Sequence, residues 1–270
     1  MTPQLSLIIS VYNKPKNLEF IFAALSRQSF CAFEVIVADD GSGPEITSVV
    51  EDARKRYPFP IMHLWHEDKG WRKNTILNKA VQASTTDYLV FIDGDCIPGK
   101  NFLLDHFNYR ENDRVLLGRR VEHWKRWAKR LSVENVLSGN FEHYTLADWI
   151  DGLRGRSIAL EVGFRIGNDR LRRLTGEVSS ILGSNFSVYK EHLIVINGFD
   201  EEYHGAGCGE DSDIFYRLGL IGIRGKSLRC LAIQYHIYHP LMPRLEENIH
   251  RFEKVKERKE SRCRNGIVAL

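Results

Sequence analysis

Val90-Phe91-Ile92-Asp93-Gly94-Asp95 is the stretch on which the reading of this chain turns. A short apolar run of this kind reads as a buried strand. Asp93 and Asp95 then fall where the strand ends and the chain turns. Asp-Gly is a common turn pair, and turn chemistry is the plainer account of the acids. Packing, however, asks for no second carboxylate there. Two like charges so close repel unless a cation or a set of donors neutralises them. A hard divalent metal shared with a phosphate does this well, because Mg²⁺ takes one or two carboxylates together with phosphate oxygens.

Working outward, Leu5 to Val11 is a continuous apolar, β-branched run and reads as a strand covered on both faces, as in a parallel sheet. A turn at Tyr12-Asn13-Lys14-Pro15 leads into a helical pattern over Asn17 to Ser29, with Leu18, Ile21, Phe22 and Leu25 on one stripe. Phe33 to Ala38 is a second buried strand that ends in Asp39-Asp40-Gly41-Ser42. A helix over Pro44 to Tyr57 is closed by Pro58 and Pro60. A strand over Ile61 to Trp65, a helix over Asn74 to Ala83 and the strand Tyr88 to Ile92 complete the series. This alternation predicts a doubly wound parallel sheet with right-handed crossovers. Ligands of such sheets bind outside the carboxyl ends of the strands. That edge carries Tyr12-Asn13, Asp39-Asp40 and Asp93 to Asp95, which together point to a nucleotide site.

The 270 residues allow one large α/β domain or two small ones. With 43% hydrophobic and 27% charged residues the chain reads as an ordinary globular protein with a sizeable core. A formal net charge of only +3 argues against a global polyanion binder, and no nucleic-acid partner is expected. The five cysteines, at 31, 96, 208, 230 and 263, are odd in number and never in CxxC spacing, which favours a reducing compartment over a disulfide framework or structural zinc. The first residues lack the charged and apolar regions of a signal peptide, and no apolar run approaches the length of a membrane span.

The middle, from about Gly118 to Leu174, is rich in Arg, Lys and Trp and shows no clean strand. Its segment 123–130, His-Trp-Lys-Arg-Trp-Ala-Lys-Arg, reads either as a solvated helix with Trp packed inward or as a surface meeting anionic lipid or an anionic acceptor. Gly183 to Tyr189 alternates like a strand, and Asn197-Gly198-Phe199-Asp200 is a turn. The glycine loop 205–209 runs into Glu210-Asp211-Ser212-Asp213 at the start of a helix, where the macrodipole favours negative charge. N-capping explains one or two of these acids, and three after a glycine loop suggest a carboxylate delivered to a ligand. Leu228 to Tyr235 is an apolar, strand-like run ending in His236, with His239 three residues on. Two histidines in a chain that already holds Asp-Gly-Asp raise a metal site beside the structural account. From Arg244 to Cys263 the pattern is that of a solvated amphipathic helix.

Three of these stretches, Leu7 to Asn13, Val37 to Ser42 and Phe91 to Asp95, resemble the sugar-nucleotide motifs of inverting family 2 glycosyltransferases. Gly183-Ser184-Asn185, Asn197 to Asp200 and Gly209 to Asp213 are similar to the C-terminal segment of galactosyltransferases and bacterial chondroitin-type polymerases. The resemblance covers about residues 5–110 and 178–240. It implies a GT-A fold: a Rossmann-like, mostly parallel sheet flanked by helices, with a helical insertion and a C-terminal helix. On this reading residues 1–240 form one catalytic domain, with 1–110 the nucleotide-sugar half, 111–177 a basic helical insertion and 178–240 the acceptor half, and 241–270 form the tail.

The resemblance further implies roles. Val11, Tyr12, Asn13, Asp39 and Asp40 would hold the base, expected to be uracil. Asp93-Gly94-Asp95 would lie along the ribose and metal, with Asp95 and His236 as ligands of Mn²⁺ or Mg²⁺ and Asp93 and His239 as alternates. Asp211 matches the general base, and Glu210 would bind a hydroxyl. Gly183, Ser184, Asn185 and Asp213 fall on the acceptor side. The chain departs from the family pattern at Leu77, where an Arg is usual before Asn78, and Lys69, Arg72 and Lys73 are the candidates for the lost diphosphate contact. It departs again in the glycine loop, which has Ala206 and Cys208 where a Trp is common. The activity implied is metal-dependent, inverting transfer from a nucleotide sugar to a glycan or lipid-linked acceptor in cell-surface polysaccharide synthesis. The implied location is cytoplasmic or peripheral at the inner face of the cell membrane. A sugar-phosphate nucleotidyltransferase and a non-catalytic sugar-nucleotide scaffold are the rivals. The first would show a glycine-rich basic loop, which Ser10 to Lys16 lacks, and the full set of acids argues against the second.

Overall fold

Tyr88 to Asp93 is the fourth strand of a seven-stranded sheet in a computed structural model that describes residues 1–205, 210–240 and 245–268. In chain order the elements are β1 (Leu5–Val11), α1 (Pro15–Leu25), β2 (Phe33–Asp39), α2 (Pro44–Arg56), β3 (Ile61–Trp65), α3 (Lys73–Ala83), β4 (Tyr88–Asp93) and β5 (Cys96–Pro98). There follow α4 (Phe102–Tyr109), β6 (Arg114–Leu117), β7 (Arg120–Glu122), α5 (Lys125–Ala128), α6 (Val133–Ser138), α7 (Leu146–Leu153) and α8 (Asp169–Arg173). The chain continues with β8 (Phe186–Tyr189), α9 (Lys190–Val195), α10 (Glu210–Leu220), β9 (Arg224–Ser227), β10 (Gln234–His236) and α11 (Glu246–Arg258).

The main sheet has the order β3-β2-β1-β4-β8-β6-β9. Its first four strands are parallel, β8 runs antiparallel to both β4 and β6, and β9 is parallel to β6. The apolar runs of β1, β2 and β4 are buried because helices cover both faces. Leu7, Ile9, Val35 and Val90 pack with Ile21, Phe22 and Val50 of α1 and α2, whereas Ile8, Ile36 and Phe91 pack with Ile76, Val81 and Ile214 of α3 and α10. A second, three-stranded sheet, β5-β10-β7, stands beside the strand ends.

Three local expectations change. The segment between 118 and 174 does hold a strand, β7, which is three residues long and owes its existence to pairing with the distant β10. β6, also short, lies inside the 111–177 segment yet belongs to the main sheet. The apolar run Leu228 to Tyr235 is a strand only from Gln234, because Cys230 and Ala232 adopt positive φ and turn the chain. Ala206 to Gly209 of the glycine loop, including the departures at Ala206 and Cys208, lie outside the described residues, as does Arg244 at the start of the tail. In segment 123–130 Trp127 is buried and stacks on His123, with ring centroids 4.4 Å apart, while Lys125, Arg126, Lys129 and Arg130 point to solvent.

Candidate active site

Strand register brings the acids together. Ser10 of β1 lies opposite Asp93 of β4, and Val11 lies opposite Asp39 of β2. Ser10 Oγ donates to Asp93 Oδ1 at 2.8 Å. Gly94 N donates to Ser10 O at 2.7 Å, so the turn after β4 lies against β1. A Cβ on Gly94 would stand 2.8 Å from that same oxygen, which is why glycine occupies the position. Lys73, at the start of α3, reaches the same edge and donates to Asp93 Oδ1 at 2.7 Å. Burial works against the Lys73 charge, but Asp93, Glu210 and Asp211 outweigh it and hold the amine well above its ordinary value.

Asp95 lies one turn further on. Because β10 pairs antiparallel with β5, His236 sits opposite Cys96, and Ile237 N donates to Asp95 O at 2.8 Å. His236 Nε2 is 3.7 Å from Asp95 Oδ1, and His239 Nε2 is 3.2 Å from Asp95 Oδ2. Burial opposes the charge on Asp95, yet the hydrogen bonds and positive charge of the two imidazoles hold its carboxyl well below the usual range. His239 is raised in turn, chiefly by its hydrogen bond to Asp95. The two Nε2 atoms face each other at 3.1 Å, and the candidate ligand atoms all fall within 4.8 Å of one another. Two imidazole nitrogens and a carboxylate that converge this closely make a usual donor set for a divalent cation. The residues therefore fit a divalent ion. Their mixed nitrogen and oxygen donors suit Mn²⁺ better than Mg²⁺, which prefers oxygen.

On the far wall, α10 begins with Glu210 and Asp211. Asp211 Oδ2 accepts from Gly183 N at 2.9 Å and its Oδ1 from Ser212 N at 2.8 Å. Ser10, Lys73, Gly183, Glu210 and Asp211 line one cleft. Burial, with the charges of Asp211 and Asp93, raises the Glu210 carboxyl against the pull of Lys73, and its Oε2 has no partner among the described residues. The helix is anchored by Arg217, which is fully buried. Its Nε donates to Asp213 Oδ2 at 2.7 Å, and its other nitrogens to the carbonyls of Ile196 and Gly198 at 2.7 and 2.8 Å. Asn78 of α3 grips the same turn from the other side, bonding Phe199 N and O at 2.8 and 2.9 Å. Gly198 has φ +71°, and a Cβ there would stand 2.3 Å from Asn78 Oδ1. Leu77 points into the core between α3 and the sheet.

Several expected site residues do other work. Asp213 is fully buried and paired with Arg217. Asn185 is fully buried too. Its Nδ2 donates to Arg119 O and Ala232 O at 2.7 and 2.9 Å, and its Oδ1 accepts from His106 Nε2 at 3.1 Å, which exhausts it as a structural clamp. Ser184 is buried and accepts from Gln234 Nε2 at 3.2 Å. Lys69 pairs with Glu67 at 3.0 Å on the exposed loop, and the Arg72 guanidinium donates to Glu67 O, so neither reaches the cleft. Only the backbone N of Arg72 contributes there, by holding Asp40 Oδ2 at 2.9 Å. Asp40 also accepts from His66 Nε2 at 2.7 Å, and Asp39, fully buried, accepts from His63 Nε2 at 2.9 Å and Ser42 N at 2.8 Å. Asn13 Oδ1 accepts from Gly43 N at 3.0 Å, and the half-exposed Tyr12 donates to Asp68 at 2.9 Å.

Arg120 is the residue the sequence did not announce. It lies on β7, with Nε 3.2 Å from Glu122 Oε1 and Nη1 3.4 Å from Ser184 Oγ. Burial disfavours its charge, but Cys96, Glu122, Asp93 and Asp95 more than offset this. It is thus a second cation, after Lys73, whose charge the paired acids favour. No local signal marks it, since the pairing of β7 with β10 is what places it.

Comparison with known proteins agrees with this arrangement. Residues 6–175 match the model of Glycosyl transferase family 2, and residues 171–240 match that of the N-terminal domain of galactosyltransferase. The chondroitin synthase of Escherichia coli is 25% identical over 241 residues, covering 86% of this chain and 34% of that protein. A mannosyltransferase of Pyrobaculum calidifontis, solved with GDP-Man and Mn²⁺, superposes with a TM-score of 0.58 at 16% identity, covering 97% of this chain and 63% of that one. S. aureus TarS 1-349, solved with UDP, gives 0.59 at 19% identity, covering 93% and 64%. The chain spans about a third of the length of the E. coli relative. At these identities the structural likenesses speak for the fold alone, and the fold is the GT-A arrangement of a mostly parallel sheet flanked by helices. With a family model matched across more than half its length, this chain belongs to family 2 of the glycosyl transferases.

Proposed function

We propose that this chain moves a glycosyl group from a nucleotide sugar, a UDP-sugar by preference, to a hydroxyl of a glycan or lipid-linked acceptor, with inversion at the anomeric carbon. The observation that carries the reading is the cleft itself: Asp211 and Glu210 line it together with Lys73, Lys73 donates to Asp93, and two residues beyond Asp93 stands Asp95 with His236 and His239. Asp211 takes the proton of the acceptor hydroxyl while that oxygen bonds to the anomeric carbon, a general-base role. The bond from that carbon to the diphosphate oxygen breaks with its electron pair, and the nucleoside diphosphate leaves. Lys73 and Arg120 meet the charge that develops on it. When bound, a divalent cation at Asp95, His236 and His239 supplies Lewis-acid stabilisation of the same charge. Glu210, whose buried Oε2 has no partner among the described residues, receives a hydroxyl of donor or acceptor. The nucleobase lies against the edge formed by Val11, Tyr12, Asn13, Asp39 and Asp40.

Two structural neighbours support the class of donor, since one was solved with UDP and another with GDP-Man and Mn²⁺. Among the described residues no helix is long and apolar enough to cross a membrane, so a lipid-linked acceptor would be met at a surface. The test is nucleoside diphosphate release from a panel of nucleotide sugars, with and without Mn²⁺, for wild type and Asp211→Asn. Transfer should fall by about 10²- to 10⁴-fold in the variant, with UDP affinity little changed. Turnover retained in Asp211→Asn would remove that residue from its role, and release of pyrophosphate from nucleoside triphosphates would favour a nucleotidyltransferase.

A further inference from the structure

Helix α7, Leu146-Ala147-Asp148-Trp149-Ile150-Asp151-Gly152-Leu153, packs the reverse of an ordinary surface helix. At about 100° per residue, Leu146, Trp149 and Leu153 fall within one narrow stripe, and Asp148 and Asp151 fall on the opposite side. The acids face inward and are buried, whereas Leu146 is 77% exposed, Trp149 44% and Leu153 89%. The cause lies in the neighbouring basic segment. Arg130 donates to Asp148 at 2.7 and 2.9 Å, and Arg126 and Arg156 flank Asp151 at 3.9 and 3.6 Å. Thr145 and Asp148 also form a capping box, which fixes the acid at the start of the helix. With its acids held by arginines, the helix has only its apolar stripe left to present outward. Phe164, itself half-exposed, extends the stripe, its ring 5.9 Å from that of Trp149.

Cations outnumber acids on the exposed surface of residues 123–164, where Glu134 and Glu161 are the exposed acids and Glu161 pairs with Arg229 at 2.9 Å. Lys125, Lys129 and Arg154 are exposed, and the outer parts of Arg126, Arg130 and Arg156 reach solvent, while the acids beneath them are covered. An apolar ridge with leucines and a tryptophan, rimmed by cations, matches the boundary of an anionic bilayer: the side chains enter the headgroup layer and the cations meet the lipid phosphates. We propose that α7, with the cations of 125–130 and Arg154 around it, is a docking surface for an anionic lipid membrane. The aromatic residues of 123–130 are not the inserting element, because Trp127 is stacked inside the fold. The position suits the cleft. β7 leads directly into this segment, and its Glu122 lies in register with His236, so docking would hold the second sheet, which carries His236, near the membrane surface.

The inference goes beyond the proposed reaction, and it is tested without turnover. The full chain is mixed with vesicles of phosphatidylcholine alone, or of phosphatidylcholine with phosphatidylglycerol, and floated through a density gradient at low and high salt. Wild type should float with the anionic vesicles, not with the neutral ones, and should be released by salt. Leu146→Ser with Leu153→Ser should weaken binding by ~10-fold or more, since each leucine loses its transfer into the apolar layer. Lys125→Glu with Lys129→Glu should do the same through charge. Both pairs are exposed and outside the cleft, so melting curves and UDP binding should match wild type. Failure to float with anionic vesicles, or binding unchanged by both double variants, overturns the proposal. A dimer in sedimentation velocity that Leu146→Ser with Leu153→Ser dissociates, without flotation of wild type, would assign the face to a second copy and overturn it as well.

Discussion

Lys73 is held between Asp93, Glu210 and Asp211, and its removal tests how the cleft is balanced. Lys73→Met should leave the three carboxylates mutually repelling, weaken UDP binding, and keep the fold, since α3 retains its buried face. Calorimetric titration with UDP checks this, and an affinity equal to wild type would show that the amine is not directed at the donor. Arg120→Met should likewise lower turnover more than it lowers stability, measured as rate against melting temperature. At this scale the sequence was legible where chemistry and local pattern coincide. Asp93 and Asp95 stand out because acids interrupt an apolar strand, and Asp211 stands out at the head of a helix. Arg120 did not, because nothing around it says that a three-residue strand will pair with one more than a hundred residues away. Asn185 and Asp213, expected on the acceptor side, show the converse: both are buried and bonded within the fold. Polar residues beside a site motif resemble ligands until burial shows them bonded to the frame.

The element that carries the proposed base is α10, and Arg217 is what fixes it. Its guanidinium ties Asp213 to the carbonyls of Ile196 and Gly198, and both side chains are buried. Arg217→Met should cost about 3–5 kcal/mol, because Asp213 is left as an uncompensated buried charge. Replacing both partners with apolar residues should recover much of the loss. Urea denaturation of the single and double variants measures this, and a loss below about 1 kcal/mol in the single variant would mean the pair is solvated. Helices and long strands were legible as elements because their apolar periodicity is local. β7 and β10 were not, since each exists only through its partner, and the turn at Cys230 and Ala232 is a backbone conformation that an apolar composition conceals.

At the scale of the whole molecule, two of the buried histidines among the described residues, His106 and His123, are pushed down by burial. His106 sits between Ser187 Oγ and Asn185 Oδ1, and burial lowers it from 6.5 to about 3. His123, stacked on Trp127 and Tyr235 with neither ring nitrogen bonded, is lowered from 6.5 to about 4, chiefly by burial. In both the folded pKa lies below the unfolded one, so the unfolded chain takes up the proton first as pH falls. Their contribution is therefore complete above pH 6.5 and is lost on acidification, by about 2 kcal/mol each between pH 6.5 and 5. His123→Phe, which keeps the stack and removes the proton site, should flatten the stability profile by that amount, and parallel profiles for the two proteins would contradict the assignment. The doubly wound half of the architecture was legible from the order of apolar runs. The second sheet, which brings His236 and His239 to Asp95, was not, because it joins residues 96, 122 and 236 through pairings no local pattern encodes. The central claim is that this junction and the strand edge form one metal-dependent nucleotide-sugar site. Its most direct test is calorimetric titration of the full chain with UDP, in Mn²⁺ and after chelation, for wild type and Asp95→Ala. The account predicts binding in Mn²⁺ that falls at least about tenfold both on chelation and in Asp95→Ala, and UDP affinity that is the same in all of these conditions would contradict it.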